Sequence, residues 1–251
     1  MLHPGALTQK RYKKRLFLEA IKMTGIQHKI SFHATDATEA QFIKNEFGES
    51  VKIYIAGNFG RIIKSGQPFF KKEGTLKLIT VALISPMKNH LAILQSLSKC
   101  KSEIEYNIYG PIKDIGYWQL CLQQIDQLPK NIKVSYHGQV TPNEIPELLA
   151  QSHVFIMPSK SENFGHAIFE ALSAGKAVIT SHDTPWNDLL VHTAGMNVAP
   201  EERELSEAIE FFASMSNENY LQFAKGSSAY ISQRSDEQNL EEQYRNMFSG
   251  N

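Results

Sequence analysis

Cysteine is scarce. Cys100 and Cys121 are the only two in 251 residues, and their spacing suits neither a metal site nor a redox pair. Both read as buried or free thiols, a disulfide framework is excluded, and the usage suits a reducing compartment. An excess of either charge is also missing: 26 Lys+Arg stand against 26 Asp+Glu. A protein that wraps nucleic acid carries a basic surplus, so nucleic-acid binding is disfavoured and any phosphate site must be local. No apolar run approaches the roughly 20 residues of a membrane span, and the N-terminus is charged where a signal peptide would be apolar. The chain therefore reads as cytoplasmic. There is no Asp-x-Asp pair, and the nine histidines have no metal spacing, so no metal is expected.

What is present is an ordinary globular mix, 42% hydrophobic and 21% charged, enough to bury a sizeable core. Residues 5–24 have helical spacing at Leu16, Phe17, Ala20 and Ile21, and Gly25 stops the run. The leading edge carries Lys10, Arg11, Lys13, Lys14 and Arg15. That edge is either a solvated face or a peripheral contact with an anionic membrane surface at its inner, cytoplasmic side. Strand, helix and strand follow at 29–34, 36–47 and 51–56, and then Gly57, Gly60, Gly66 and Pro68 mark a loop.

Beyond this loop the pattern alternates strictly. Strands are expected at 76–84, 104–109, 133–137, 154–157, 177–180 and 196–199. Helices are expected near 90–97, 118–128, 142–150 and 164–174, with three more closing the chain over 204–214, 217–233 and 235–247. Such alternation implies an α/β fold, a doubly wound parallel sheet of Rossmann-like type. The expected organisation is a first segment of 1–70, a nucleotide-binding domain of 71–233 and a terminal helix of 234–251.

Ligands of an open α/β sheet bind beyond the carboxyl ends of its strands. Three such loops hold suggestive residues. Lys88, in the loop entering a helix, is either a solvated lysine or a point charge for a diphosphate. Gly138, followed by Val140, either turns the chain or lets a flat ligand approach the backbone. The third loop runs from Pro158 through Glu162, Asn163, Phe164 and Gly165 into a helix that carries Glu170. Asn163 is expected at the cap, and the helix start offers free N–H groups to an anion. Counted from Phe164, Glu170 lies roughly 9 Å along the axis. The two acids are either a capping and a surface carboxylate, or two grips on the ends of a nucleotide sugar.

The stretch PSKSENFGHAIFEALSAGKAVI (158–179) resembles the signature of glycosyltransferase family 4, two glutamates with seven residues between them around Phe-Gly. IPELLAQSHVFIMPS and HGQVTPNEI resemble the family's neighbouring segments, and HATDATEA with VKIYIAGNF resembles the end of its N-terminal domain. The departures are Ser173, where alanine is common, and Lys176, where proline is usual. Leu83 stands where the family has an arginine.

The resemblance implies the GT-B fold, with a C-terminal donor-binding domain and a partial N-terminal Rossmann-like segment. It implies a retaining transfer of a hexosyl group from a UDP- or GDP-sugar to a glycan or lipid-linked acceptor. A phosphate oxygen of the leaving diphosphate takes the acceptor's proton. Glu162 and Lys88 are the implied catalytic groups. Glu170, Asn163, Phe164, Gly165, Gly138 and Val140 are the implied donor contacts. Thr184-Pro185-Trp186 resembles the bacterial members that build surface polysaccharide or lipopolysaccharide. The first domain's glycine-rich loop and catalytic histidine have no counterpart, so a truncated form is expected, completed by a missing N-terminal domain chain or by self-association. A noncatalytic binding remnant is the alternative. An epimerase of the same fold fits the Phe-Gly and two-glutamate pattern less well.

Overall fold

The computed structural model describes residues 11–64, 66, 68–234 and 237–249. The start of the expected first helix, residues 5–10, lies outside them. By its contacts the chain forms two units, divided at Gly60, with the residues from Asp236 onward joining the first.

The first unit begins with helix α1 (Arg11–Thr24), ended by Gly25 in the left-handed conformation at φ 68°. Strand β1 (Ser31–Ala34), helix α2 (Ala37–Phe47) and strand β2 (Lys52–Ile55) follow. Asp36 caps α2 by accepting the Glu39 N–H at 2.8 Å. The strands pair in parallel, Ser31 with Lys52 through Ala34 with Ile55. Leu18, Ala34, Ala40, Ile43, Phe47 and Val51 bury the apolar seam between these elements.

The second unit contains β3 (Thr75–Val81), α3 (His90–Leu97), β4 (Glu103–Tyr109), α4 (Ile115–Ile125), β5 (Ile132–Tyr136) and α5 (Ile145–Ala150). It continues with β6 (Val154–Met157), α6 (His166–Ser173), β7 (Ala177–Thr180), β8 (Gly195–Asn197), α7 (Glu202–Ala213) and α8 (Asn217–Arg234). The six strands are parallel in the order β5-β4-β3-β6-β7-β8. Every residue of β6 and β7 is buried, as helices on both faces require. Side chains alternate between the faces. Val154 and Ile156 join Leu78, Ile104 and Ile108 on one side. Phe155 and Met157 join Ile79, Val178 and Leu172 on the other.

The chain closes with helix α9 (Glu237–Ser249). Two boundaries differ from the sequence expectation. Residues 60–70 belong to the sheet unit and do not act as a linker, because Ile63 is 4% exposed and its N–H donates to the Ser173 hydroxyl at 2.9 Å. The terminal helix does not stand apart either. The Gly57 N–H donates to the Gln243 side chain, the Tyr244 hydroxyl donates to the Gly57 carbonyl, and the Tyr244 ring lies 4.7 Å from Phe59.

Just ahead of β3, the Lys71 ammonium is buried against the end of α7. It donates to the carbonyls of Ala213 (2.8 Å) and Met215 (3.1 Å). A cation suits the negative end of a helix.

Candidate active site

The strand order reverses between β3 and β6. β3 leads outward to β4 and β5, and β6 leads the other way to β7 and β8. A crevice opens beyond the carboxyl ends of two such strands, where neither following loop crosses the other. The loop after β3 carries Lys88, and the loop after β6 carries Glu162.

The structure brings these two side chains together. The Lys88 ammonium donates to the Glu162 carboxylate, and both are largely shielded, at 21% and 11% side-chain exposure. The loops that present them are stitched to each other. The Lys160 N–H and the Ser159 hydroxyl both donate to the Met87 carbonyl, at 2.9 and 3.0 Å. From the other side, the Glu162 N–H donates to the Asp183 carbonyl at 3.0 Å, and the Ser181 hydroxyl donates to Ser159. The residue after Lys88 is Asn89, held left-handed at φ 63°, and it turns the chain into α3.

Helix α6 starts two residues later than the sequence implied. Its cap is Gly165, at φ 74° and without a side-chain bond, and not Asn163, which lies exposed in the loop. The backbone needs a left-handed residue there, and a β-carbon on Gly165 would sit 3.3 Å from both the Trp186 indole nitrogen and Ile168. The His166 and Ala167 N–H groups precede the helix's own acceptors, the Ile168 N–H donates to the Gly165 carbonyl at 2.9 Å, and the positive end of the helix dipole adds to the first two. Phe164 is locked in place. Its carbonyl accepts the Trp186 indole N–H, and its ring packs 5.3 Å from Trp186 and 4.7 Å from His166.

Glu170 is the fifth residue of α6, about 6 Å along the axis from His166. That is shorter than the span counted from Phe164. The carboxyl is half-buried, and burial raises its pKa, partly offset by the nearby Arg61 guanidinium. Arg61 also donates to the Pro142 carbonyl in the loop after β5. It thereby stands between Glu170 and the Gly138–Val140 loop. Sequence reasoning missed Arg61, since it belongs to no motif and its partners lie far along the chain.

Gly138 adopts φ 77°, its carbonyl accepts the Gly110 N–H at 2.7 Å, and a β-carbon there would meet open space. Val140 is partly exposed in the same loop. Beside them the Tyr109 and His137 rings stack at 4.6 Å with 13° between planes. Leu83, in the loop after β3, is 40% exposed. Among the described residues, no three His, Cys, Asp or Glu side chains converge as a metal site.

The arrangement offers a lysine, an acid and an amide-rich helix start at one crevice, with a second acid further along the helix. It can neutralise a diphosphate and accept hydrogen bonds from hydroxyl groups. The family model described as glycosyl transferases group 1 matches residues 63–232. An O-antigen chain mannosyltransferase B of Escherichia coli is 28% identical over 128 residues, which cover 49% of this chain and 32% of that protein's length. The fold is similar to that of Anabaena HepE in its crystal structure with UDP and glucose (TM-score 0.74, 19% identity, 93% of this chain and 67% of that one). It is also similar to the C-terminal domain of a glycosyl transferase group 1 family protein from Francisella tularensis (TM-score 0.57, 17% identity, 68% of this chain and 95% of that one). The chain thus spans about a third of the curated relative it matches.

Proposed function

The chain belongs to the glycosyl transferases group 1, and on that premise we propose that it binds a UDP- or GDP-sugar in the crevice between β3 and β6. The reading continues to transfer: the hexosyl group passes, with its anomeric configuration retained, to a glycan or lipid-linked acceptor. The observation that carries this reading is the Lys88–Glu162 pair beside the start of α6. The bond from the anomeric carbon to the diphosphate breaks, the bond to the acceptor oxygen forms, and a phosphate oxygen takes the hydroxyl proton. Charge on the leaving diphosphate is met by Lys88 and the first-turn amides of α6. Releasing Lys88 to the diphosphate frees the Glu162 carboxylate to accept from sugar hydroxyls. Asn163, Phe164 and Gly165 contact the sugar and phosphate, Glu170 the ribose, and Gly138 and Val140 the base.

The name of the Escherichia coli relative supports a place in bacterial surface polysaccharide synthesis. In this reading the chain supplies the donor half, and further sequence or a second chain supplies most of the acceptor half. Working on a lipid-linked acceptor would place it at the inner face of a membrane. Helix α1 supports that location, because Tyr12, Leu16, Phe17 and Met23 are exposed beside Lys13 and Arg15. Among the described residues, no helix is long and apolar enough to cross a membrane. Sedimentation with anionic vesicles at physiological salt tests the contact.

Leu83, where the resemblance expects arginine, favours a second reading, a chain that holds donor without turning it over. Isothermal titration with UDP and with GDP tests the shared premise. One nucleotide is expected to bind, and Glu170→Ala is expected to weaken it. Failure of both nucleotides to bind overturns the reading. Release of UDP or GDP from the sugar nucleotide then separates transferase from binder.

A further inference from the structure

We propose that a cavity of about 290 Å³ at the far end of α6 is a second ligand site, one that takes a small phosphate monoester. Its walls come from four places. They are Ile63 and Lys64 ahead of the sheet, Pro146 and Ala150 on α5, the turn at Gly175 and Lys176 between α6 and β7, and Lys225 on α8. Helix α6 has eight residues and so is about 12 Å long; the cavity lies beyond its C-terminal end, whereas the Lys88–Glu162 crevice lies at its start. The two sites are therefore separate.

The cavity is lined by three lysines and by no carboxylate. Lys176 is 3% exposed. Its ammonium donates to the carbonyls of Ala150 (3.3 Å) and Ser152 (3.0 Å), which leaves one N–H. Two carbonyl dipoles do not neutralise a full buried charge, and burial pulls this lysine down to about 8. A phosphate dianion beside three ammonium groups supplies the missing countercharge. The remaining lining is largely apolar, including Ile63, Pro146 and Ala150. It suits a short carbon skeleton attached to the phosphate.

The sequence points to the same place. In the stretch that resembles the family signature, Ser173 and Lys176 are the two departures; Lys176 lines this cavity, and Ser173 directly precedes the lining residues Ala174, Gly175 and Lys176. Lys176 brings the buried charge. Ser173 accepts the Ile63 N–H and donates to the Glu170 carbonyl at 2.9 Å, which pins the wall that carries Lys64. A role for Lys176 confined to capping the end of α5 explains neither the exposed lysines at 64 and 225 nor the paired departure.

The test is a backbone amide titration of the full ¹⁵N-labelled chain with inorganic phosphate and with glycerol 3-phosphate, in chloride buffer. A saturable shift of the Ala150, Gly175 and Lys176 amides with either probe is expected. Lys64→Glu and Lys225→Glu, both exposed positions, are each expected to weaken that binding by about tenfold or more. Shifts confined to the Gly165–Ala167 amides mean that phosphate goes only to the donor crevice, and they overturn the proposal. So does the absence of a saturable shift, or a shift that neither charge reversal weakens.

Discussion

Lys88 and Glu162 lie 74 positions apart in the sequence, yet they form an ion pair across the seam between β3 and β6. Neither loop alone makes a site. Removing one partner leaves the other charge shielded from water and unmatched, which costs more than removing both. Lys88→Met is expected to lower stability by about 1–3 kcal/mol and to weaken nucleotide binding at least about tenfold. The double variant Lys88→Met, Glu162→Gln is expected to unfold at a higher urea concentration than the sum of the singles implies. Urea melts and isothermal titration on the four proteins check this.

Burial raises the Glu170 carboxyl pKa, so the folded state prefers the neutral acid more than the unfolded chain does. Below the unfolded value the group is protonated in both states, and that preference is fully present. As pH rises through the folded value, the folded state must carry a charge it holds less well, and stability is lost. Glu170→Gln is therefore expected to match wild type at pH 4 and to melt above it at pH 8. Arg61→Ala, which removes the partial offset, is expected to widen that gap. Thermal melts across pH decide the matter.

Gly165 turns the chain left-handed into α6 and packs under Trp186. Gly165→Ala is expected to cost about 1–2 kcal/mol for the left-handed backbone alone. That corresponds to a fall in Tm of about 2–4 °C for each kcal/mol. Nucleotide affinity should drop with it, because the helix start moves. Calorimetry and titration of the same sample read both effects.

How much of this was legible in the sequence depends on distance along the chain. The strands at 104–109, 154–157 and 177–180 and the helix at 90–97 follow from local apolar patterning, and the structure places them within a residue. Lys88, Gly138 and Glu162 were legible as residues of strand-end loops, and the structure places them after β3, β5 and β6. The Gly165 cap was missed because Asn163 has the better capping side chain, while the packing of Trp186 decides the turn. Arg61 and the seating of α9 were missed because both depend on contacts with residues remote in sequence. Propensity carries no signal for such contacts.

Cys100 and Cys121 are buried, and burial pushes their thiols up to about 12 and about 11. Thiolate is the reactive form. Ellman's reagent at pH 8 is expected to find neither thiol in the native chain within minutes, and both after denaturation in guanidinium.

The strand order has a kinetic consequence. β3, β4 and β5 are neighbours both in sequence and in the sheet, and so are β6, β7 and β8. Each half can zip up from short-range pairings, whereas closing the join between Leu78–Ile79 and Val154–Phe155 has to wait for a long loop. The Lys88–Glu162 pair draws one residue from each side of that join. If the crevice takes the sugar nucleotide proposed above, a folding chain becomes competent for it only once that join has closed, and the onset of nucleotide binding in a refolding experiment times the closure.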